Sequence, residues 1–446
     1  MTRPRKSAKR SAAGRPDRPV EDEIWHRVTR ELTDDLAVDA LARDRAGKSP
    51  LDELARLQEA GLPALLTPPS PDGRRGADWR AASAVIREIS TADSSIGELL
   101  AHHYALAWSA RFFGTEDGKT ATEPVETVAE REGWLLAGGV ESSRAETGTE
   151  TPDLVLTPAS TESTDEPGSP EGGGFVLEGR RYFASGVTVA DRLVVGARCT
   201  GTGDLLIVLV DPAHPAVFTE PATDRLGQRL SGAGTVTFDR APVAAEAVLG
   251  RVPRDEHDVT PYAALAPLAL RLLLVQVGLG IAEGALAEAR DVSRAGHAAQ
   301  PHSVRTAAGH AVTYAPRDDD PYLLLAYGEL ATAAHAAASV AGRATDALAR
   351  GLDAGGSLGV EERADIAVLV AAAEAVTDRA AVHVTTRILE LVGSADRPEP
   401  AGSGPGFDRF WRNARALTAR HSPTHRLRDI GDHYLNGTHA RLTLPV

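Results

Sequence analysis

The spacing of the apolar residues changes twice along this chain, and that change limits its possible folds most strongly. From about 21 to 113, apolar residues such as Ile24 and Val28 recur every three or four positions, which predicts helices. Between about 133 and 250 the period shortens toward two, in short runs separated by Gly, Asp and Pro, which predicts strands. After Pro261 long helical patterns return.

The C-terminal pattern predicts helices near 264–297, 322–352, 360–393 and 405–420. Pro267 fits the first of them only if it lies in the first turn. The order of helices, strands and helices predicts a mainly α member of the α+β class. We expect an N-terminal helical domain at 21–125, a middle β-barrel or sandwich domain at 126–255 and a C-terminal bundle of about four helices at 256–446.

Two charged segments are expected to lie outside these packed units. Residues 1–20 carry seven basic side chains and one acidic one, and they lack apolar residues, so a disordered basic tail is predicted. Residues 141–172 carry eight acidic side chains and one basic one among Ser, Thr, Pro and Gly. This segment is predicted to be a surface insertion of the β-domain, interrupted by a short strand at 154–156.

The composition excludes several classes of protein. A net charge of −14 argues against nucleic acid as a partner. The single Cys199 precludes an intramolecular disulfide and a Cys-rich metal site. No apolar segment follows the basic start as in a signal peptide, and Arg271 and Gln276 interrupt the most apolar helix, so a cytoplasmic protein without a membrane span is expected.

Two motifs resemble ligand-binding motifs but are not expected to bind a ligand. The run of 278–284, Gly-Leu-Gly-Ile-Ala-Glu-Gly, has the wrong spacing for a dinucleotide fingerprint and lies within a helical pattern, so it predicts close helix packing. His421 and His425 are four residues apart, but Pro423 lies between them, so no metal site is expected.

Three segments carry candidate functional side chains. The segment 92–104, ADSSIGELLAHHY, places His103 and Tyr104 at the end of an apolar helix, with Ser94 and Ser95 as available caps at its start. These rings either pack on neighbouring elements or form the polar floor of a pocket. Ser185 lies where a strand enters a turn, in GRRYFASG, either as an ordinary turn residue or as part of a site.

The third segment is an Arg-rich helix that ends in His421 and Ser-Pro. A helix C-terminus favours a protonated imidazole, which can donate a hydrogen bond to an oxyanion; the alternative is a solvated cap.

In their order along the chain, these segments resemble the acyl-CoA dehydrogenase superfamily over about residues 22–440. The dibenzothiophene monooxygenase branch, whose members use reduced flavin, is the most similar. The matching stretches are ADSSIGELLAHHY (92–104), GRRYFASG (179–186), TVTFDRAPV (235–243), DDDPYLLLAYGEL (318–330) and FDRFWRNAR (407–415).

The resemblance implies the acyl-CoA dehydrogenase fold, assembled as a homotetramer, with flavin between the β-domain and the bundle. It implies that Ser185 lies beside the flavin ring, with Phe183 and Gly186 shaping that wall, and that His103 and Tyr104 line the side of substrate and oxygen. Arg305, in Arg-Thr-Ala-Ala-Gly, resembles the superfamily's arginine at the flavin phosphate, and Arg415 ends the FDRFWRNAR stretch on the cofactor side.

The resemblance places His421 where many acyl-CoA dehydrogenases have a catalytic Glu, nine residues beyond Arg412. The branch often has its His one residue earlier, where this chain has Arg420, so either residue is a candidate to face the flavin. An imidazole is a poor substitute for a carboxylate base but can donate a hydrogen bond to a flavin peroxide.

The implied function is that of a two-component monooxygenase. It would use reduced flavin, most simply FMN although FAD is possible, and O₂ to oxygenate sulfur or nitrogen in a small apolar substrate through a C4a-hydroperoxyflavin. Since the chain lacks a nicotinamide-binding unit, a separate NAD(P)H-dependent flavin reductase is expected. The alternatives are an FAD-dependent acyl-CoA dehydrogenase or oxidase, which would need another carboxylate such as Glu399, and a catalytically silent flavin-binding scaffold.

Overall fold

Six helices form the N-terminal part of the protein in this computed structural model. The structure describes residues 18–66, 78–114, 125–140, 154–159, 174–299, 302–305, 311–314, 321–393, 406–420 and 423–439. The helices are α1 (Arg18–Ala46), α2 (Leu51–Glu59), α3 (Trp79–Ala92), α4 (Ser94–Ala107), α5 (Ser109–Phe113) and α6 (Val125–Glu132). The predicted helical character of this region is confirmed, and α1 already begins at Arg18, within the expected tail; residues 1–17 lie outside the described residues.

Aspartates, not the serines suggested by the sequence, cap two of these helices. Asp93 accepts hydrogen bonds from the backbone N–H groups of Ser95 and Ile96 at the start of α4, at 3.1 and 3.4 Å. Asp78 accepts the corresponding bonds at the start of α3. A carboxylate satisfies these N–H groups and also complements the helix dipole, which explains the preference.

A single eight-stranded sheet follows these helices. Its strands are β1 (Leu136–Gly139), β2 (Val155–Pro158), β3 (Gly174–Phe183), β4 (Arg192–Cys199), β5 (Leu205–Val210), β6 (Val217–Pro221), β7 (Gly234–Ala244) and β8 (Val248–Val252). Their order is β6-β7-β3-β2-β4-β5-β8, and β1 also pairs with β4. β1 and β2 run parallel to β4 at successive positions along it, and the other pairs are antiparallel. The short strand predicted inside the acidic insertion is confirmed as β2, whereas most of that insertion lies outside the described residues.

Long helices make up the C-terminal part. Its elements are α7 (Ala266–Ala299), β9 (His302–Arg305), β10 (Ala311–Tyr314), α8 (Pro321–Ala354), α9 (Val360–Gly393), α10 (Asp408–Thr418) and α11 (Pro423–Asn436). The predicted helices are confirmed to within a few residues, and Pro267 lies in the first turn of α7. The β9–β10 hairpin and α11 were not predicted.

Two helices are long and apolar enough to cross a membrane by length and composition. The first is the segment Ala263–Arg294, and 83% of its most apolar 18-residue stretch is buried inside the protein. The second is the segment Pro321–Ser357, and only 17% of the corresponding stretch is buried. The first includes the stretch that the sequence suggested is too interrupted for a span, and its burial identifies it as a core helix. The second leaves an apolar face uncovered.

The glycines of the 278–284 run allow close packing of α7 on α3, as predicted. A Cβ atom at Gly284 would lie 2.1 Å from the carbonyl oxygen of Thr91, and one at Gly280 would lie 2.6 Å from that of Arg87. Both distances are far below van der Waals contact. Glycine therefore sets the separation of these two helices, and no nucleotide loop is present in this run.

Replacement of Gly284 by alanine should lower the free energy of unfolding by about 1–3 kcal/mol, because backbone must move to admit the methyl group. Gly431→Ala on α11 is the matched control, since a Cβ there has no neighbour within 4 Å. The control should be neutral or stabilise by about 0.5–1 kcal/mol through helix propensity. Chemical denaturation measures both; equal stability of the two variants would contradict the packing role.

Candidate functional site

Three buried polar side chains join the N-terminal helices, the sheet and the C-terminal helices. The backbone N–H of Gln228 donates to Asn413 Oδ1 at 2.7 Å, and Asn413 Nδ2 donates to Ser94 Oγ at 3.0 Å. Ser94 Oγ in turn donates to Gln228 Oε1 at 3.3 Å. We call these three residues the polar junction. It connects the start of α4, the loop before β7 and the middle of α10.

The loop at 226–231 reaches the polar junction through an unusual backbone conformation. Gln228 has a φ of +53°, in the left-handed region that side chains rarely adopt. At Gly227 a Cβ would lie 2.2 Å from the carbonyl oxygen of Arg412 in α10, so only glycine permits this contact. Arg412 also donates to the carbonyl oxygen of Leu226 at 3.0 Å and pairs with Asp44 at 2.5 Å. Contacts of Leu226, Gly227 and Gln228 with Arg412 and Asn413 thus hold the loop against α10.

The turn that follows β3 lies beside the polar junction and contacts α4. Phe183 and Ser185 are buried, and Ser185 Oγ donates to the carbonyl oxygen of Ser231 at 3.3 Å. Gly186 has a φ of +81°, and a Cβ there would lie 2.5 Å from Ala137 Cβ and 3.5 Å from Leu99 Cδ2. The turn therefore packs between β1 and α4, which brings Phe183, Ser185 and Gly186 close to the helix that carries His103.

His103 and Tyr104 are buried and bound to backbone groups. The N–H of Leu136 donates to His103 Nδ1 at 3.0 Å, so the ring carries its proton on Nε2, which donates to the carbonyl oxygen of Pro63 at 2.8 Å. The hydroxyl of Tyr104 donates to the carbonyl oxygen of Leu62 at 2.7 Å. Burial lowers the pKa of His103 to about 4 and raises the pKa of Tyr104. Both side chains are neutral near pH 7, and their polar atoms connect α4 to β1 and to the loop after α2.

The histidine contributes a characteristic pH dependence to stability. In the unfolded chain its pKa returns to about 6.5, whereas the folded pKa is about 4. Between these two pH values the unfolded chain binds a proton at this histidine and the folded protein does not. As the pH falls through this range, the free energy of unfolding should therefore decrease by about 1.4 kcal/mol per pH unit because of this residue. Above pH 6.5 this contribution is fully present.

His103→Gln removes that titration, so the difference in unfolding free energy between the wild type and the variant should shrink as the pH falls from 6.5 toward 4. Urea denaturation at several pH values measures it. The surface variant His335→Gln should instead follow the wild-type pH profile. Parallel pH profiles for the wild type and His103→Gln would show that the buried neutral ring does not have this role.

A buried ion pair lies at the C-terminal end of α10. Arg420 Nη1 donates to Glu98 Oε1 at 2.6 Å, and Glu98 on α4 is fully buried. Glu98 Oε2 and Arg420 Nη2 are buried and have no hydrogen-bond partner among the described residues. His102 lies beside the pair and donates through Nδ1 to the carbonyl oxygen of Glu98 at 3.0 Å. Burial lowers the pKa of His102, an effect that Glu98 opposes and Arg420 reinforces.

Arg420→Gln should destabilise the protein by about 3–5 kcal/mol, because it leaves the Glu98 carboxylate buried without a counter-charge. Glu98→Gln should have a similar effect, and the double variant should lose clearly less than the sum of the two. A double-mutant cycle by chemical denaturation measures this coupling. Strict additivity would show that the two charges do not interact.

The remaining predicted site residues are only partly described. His421 lies outside the described residues, as does Glu399, and of Arg305 the structure describes only the backbone, in β9. Arg415 is exposed on α10, and its side chain has no partner among the described residues. The sequence reasoning did not single out Glu98, Gln228 or Asn413. Glu98 and Asn413 lie within the motifs quoted above, but their pairing depends on contacts between distant segments.

The residues around the polar junction fit a flavin. Gln228 Nε2 is buried and has no hydrogen-bond partner among the described residues, and a flavin ring offers carbonyl and ring-nitrogen acceptors. The Ser185 turn lies on the sheet side of this position, and Arg415 offers a cation of the kind that binds phosphate. A ligand with a planar acceptor edge and a phosphate therefore matches the donors present.

Comparison with known proteins identifies relatives of this chain. Residues 19–124 match the family model for the acyl-CoA dehydrogenase N-terminal domain. The chain is 30% identical over 417 residues to a dibenzothiophene monooxygenase of Mycolicibacterium goodii, covering 92% of this chain and 93% of that protein. It is 28% identical over 415 residues to a probable FMNH₂-dependent monooxygenase, SfnC, of Pseudomonas putida, covering 92% and 94% of the two chains. The FMN-bound crystal structure of TdsC from Paenibacillus sp. A11-2 superposes with a TM-score of 0.78 at 26% identity, covering 95% of this chain and 100% of that one.

The fold and these similarities define a flavin-dependent monooxygenase with the acyl-CoA dehydrogenase fold. More narrowly, the chain belongs to the dibenzothiophene monooxygenase family.

Proposed function

We propose that this protein takes reduced FMN from a separate NAD(P)H-dependent flavin reductase and, with O₂, oxygenates a sulfur or nitrogen atom of a small apolar substrate. The observation that carries the proposal is the similarity to dibenzothiophene monooxygenases along nearly the whole of both chains. The Gly-x-Gly run of 278–284 lies inside α7 and so does not form a nicotinamide site. A reductase is therefore needed to supply the reduced cofactor.

In this proposal reduced FMN supplies the electrons that activate O₂, so that one oxygen atom reaches the substrate and the other leaves as water. Phe183, Ser185 and Gly186 hold the ring from the side of the sheet, and Gln228 Nε2 donates to one of its acceptors. Arg305 and Arg415 meet the phosphate. Every one of these groups binds or orients, and none needs to exchange a proton.

His103 and Tyr104 form the wall on the side of substrate and oxygen. Since their polar atoms are already bound to backbone groups, their role is to exclude water and to fix the shape of the pocket. Exclusion of water matters because a wet site would release peroxide before oxygen transfer. Arg420 is engaged with Glu98, so His421 remains the residue proposed to donate a hydrogen bond to the activated oxygen.

The same ion pair argues against the acyl-CoA dehydrogenase alternative. That reaction needs a carboxylate base at the substrate, and Glu98 is the buried carboxylate nearest the end of α10. Glu98 is fully buried and accepts a hydrogen bond from the Arg420 guanidinium, so it is already engaged in an ion pair, and Glu399 lies outside the described residues. Oxygenation requires no such base.

The proposal predicts that purified protein, given enzymatically reduced FMN, ¹⁸O₂ and a panel of aryl and alkyl sulfides and amines, incorporates one ¹⁸O atom per product. His421→Ala should lower product formed per FMN consumed about tenfold or more, with a matching rise in H₂O₂, because one hydrogen-bond donor is lost. His425→Ala is the matched control on exposed α11. Mass spectrometry and peroxide assay give the readouts; no labelled product from any compound would refute the proposal.

We also propose that the protein is a cytoplasmic homotetramer in which the uncovered face of α8 packs on another subunit. Tyr322 and Leu325 are 82% and 62% exposed at the start of α8, and a cavity of about 590 Å³ between α7 and α8 is lined by Leu286 and Leu323. Exposed apolar patches of this kind mark interfaces.

Light scattering after gel filtration should give four times the chain mass of 46.9 kDa. Leu325→Glu should dissociate the assembly, and Leu435→Glu on exposed α11 serves as the control. A monomeric wild type that instead floats with lipid vesicles would assign the α8 face to a membrane.

A further inference from the structure

A polar cavity lies beside the turn that contains Ser185, and Thr188 and Gly232 are among the residues that line it. Its volume is about 270 Å³, several times the ~30 Å³ share of one water molecule. It is bounded by the loop between α1 and α2, the turn after β3 and the loop between β6 and β7. We call it the basic cavity, because Arg225 and Arg229 supply two of its walls.

The two guanidinium groups carry charge that no carboxylate balances. Among the described residues, neither Arg225 nor Arg229 forms an ion pair, whereas other arginines such as Arg251, Arg271 and Arg420 pair with Asp or Glu. Asp224 also lines the cavity, but its side chain is exposed and makes no ion pair with either arginine. The cavity thus has a net positive wall.

Hydrogen bonds to the turn after β3 and to the loop before β7 hold the Arg225 side chain in place. Its Nη1 donates to the carbonyl oxygens of Ala184 and Gln228 at 3.3 and 3.1 Å and to the hydroxyl of Ser231. These bonds occupy one of its three nitrogens and leave the N–H groups of Nε and Nη2 for a ligand. Because Ala184 directly precedes Ser185, an occupant of the basic cavity contacts the same turn that is proposed to hold the flavin.

The other walls add hydroxyl donors. Thr188 Oγ1 is buried and has no hydrogen-bond partner among the described residues. Gly232, with a φ of +64°, leaves room for it, since a Cβ there would lie 3.0 Å from that hydroxyl oxygen. Ser49 and Thr223 also line the cavity. Hydroxyl groups together with guanidinium groups form the donor set that binds an oxyanion.

We infer that the basic cavity binds the phosphate or sulfonate group of a small organic anion. Arg229 and the free N–H groups of Arg225 contact the oxyanion, and Thr188 donates a further hydrogen bond. This anion is the acidic group of a separate small molecule, because the cofactor phosphate is proposed to meet Arg305 and Arg415, which are not among the described residues that line the cavity. The inference concerns binding alone and does not depend on the proposed oxygenation.

The test uses the full chain without turnover, at constant ionic strength kept with NaCl. Inorganic phosphate and methanesulfonate are titrated against the wild type, Arg229→Gln and Arg251→Gln, with isothermal titration calorimetry and thermal unfolding as readouts. Arg251→Gln is the matched control, because it removes one positive charge at an exposed arginine on the same sheet, where Arg251 pairs with Asp204. Circular dichroism without ligand establishes that each variant is folded.

We expect the wild type and Arg251→Gln to bind at least one of the two anions saturably. In Arg229→Gln the affinity for that anion should be tenfold or more weaker. A second arm compares reduced FMN with reduced riboflavin. Unchanged FMN affinity in Arg229→Gln is the result expected for a separate anion. A weaker affinity for FMN with an unchanged affinity for riboflavin, together with competition between phosphate and FMN, would assign the cavity to the cofactor phosphate and overturn the inference of a separate anion. Equal anion affinity in all three proteins, or no saturable anion binding by the wild type, would overturn the inference.

Discussion

The polar junction of Ser94, Gln228 and Asn413 is the constraint on which the site depends. Its hydrogen bonds join residues separated by 134, 185 and 319 positions in the chain. Buried polar groups must find partners, because an unpaired one costs about 1–3 kcal/mol. The three hydrogen bonds form together only when the two helical parts and the sheet have this relative arrangement. That arrangement also places the Ser185 turn beside α4.

Buried polar groups around this junction are of two kinds. His103 and Tyr104 have their polar atoms bound to backbone groups, so they add rigidity and keep water out. Gln228 Nε2, Glu98 Oε2 and Arg420 Nη2 are buried without partners in the described part of the chain. Unsatisfied buried atoms are uncommon in folded proteins, and near a site they indicate where a ligand or ordered water supplies the missing bond. Of these atoms, Gln228 Nε2 is the one proposed to meet the flavin, whereas His103 and Tyr104 belong to the supporting wall.

The charged groups around the Ser185 turn also fall into two sets. The Glu98–Arg420 pair is neutral as a unit and lies between α4 and the end of α10. Beside the Ser185 turn, Arg225 and Arg229 have no balancing carboxylate among the described residues, and they make the basic cavity attractive to an anion. The Ser185 turn thus has a charge-balanced ion pair on the side of α4 and the positively charged basic cavity beside it.

Much of the fold could be predicted from local patterns. The change of apolar period located the helical and strand regions, and the short spacing of glycines in 278–284 predicted helix packing, because both properties depend on neighbours within a few residues. The helix caps were less predictable, since Asp93 and Ser94 are both good caps and tertiary contacts assigned Ser94 to the polar junction. The β9–β10 hairpin and α11 were missed because short segments give weak periodic signals.

By itself, the sequence determined the order of elements, the motifs of the family and the residue types available to a site. It could not determine that Glu98 pairs with Arg420, that His103 is bound to backbone at both nitrogens, or that Arg225 and Arg229 share a cavity without an acidic partner. These features depend on contacts between segments tens to hundreds of residues apart, and on burial, which sets whether a charge is paired and whether an imidazole stays neutral. Only the tertiary structure brings those groups within hydrogen-bonding distance, so only it decided their roles.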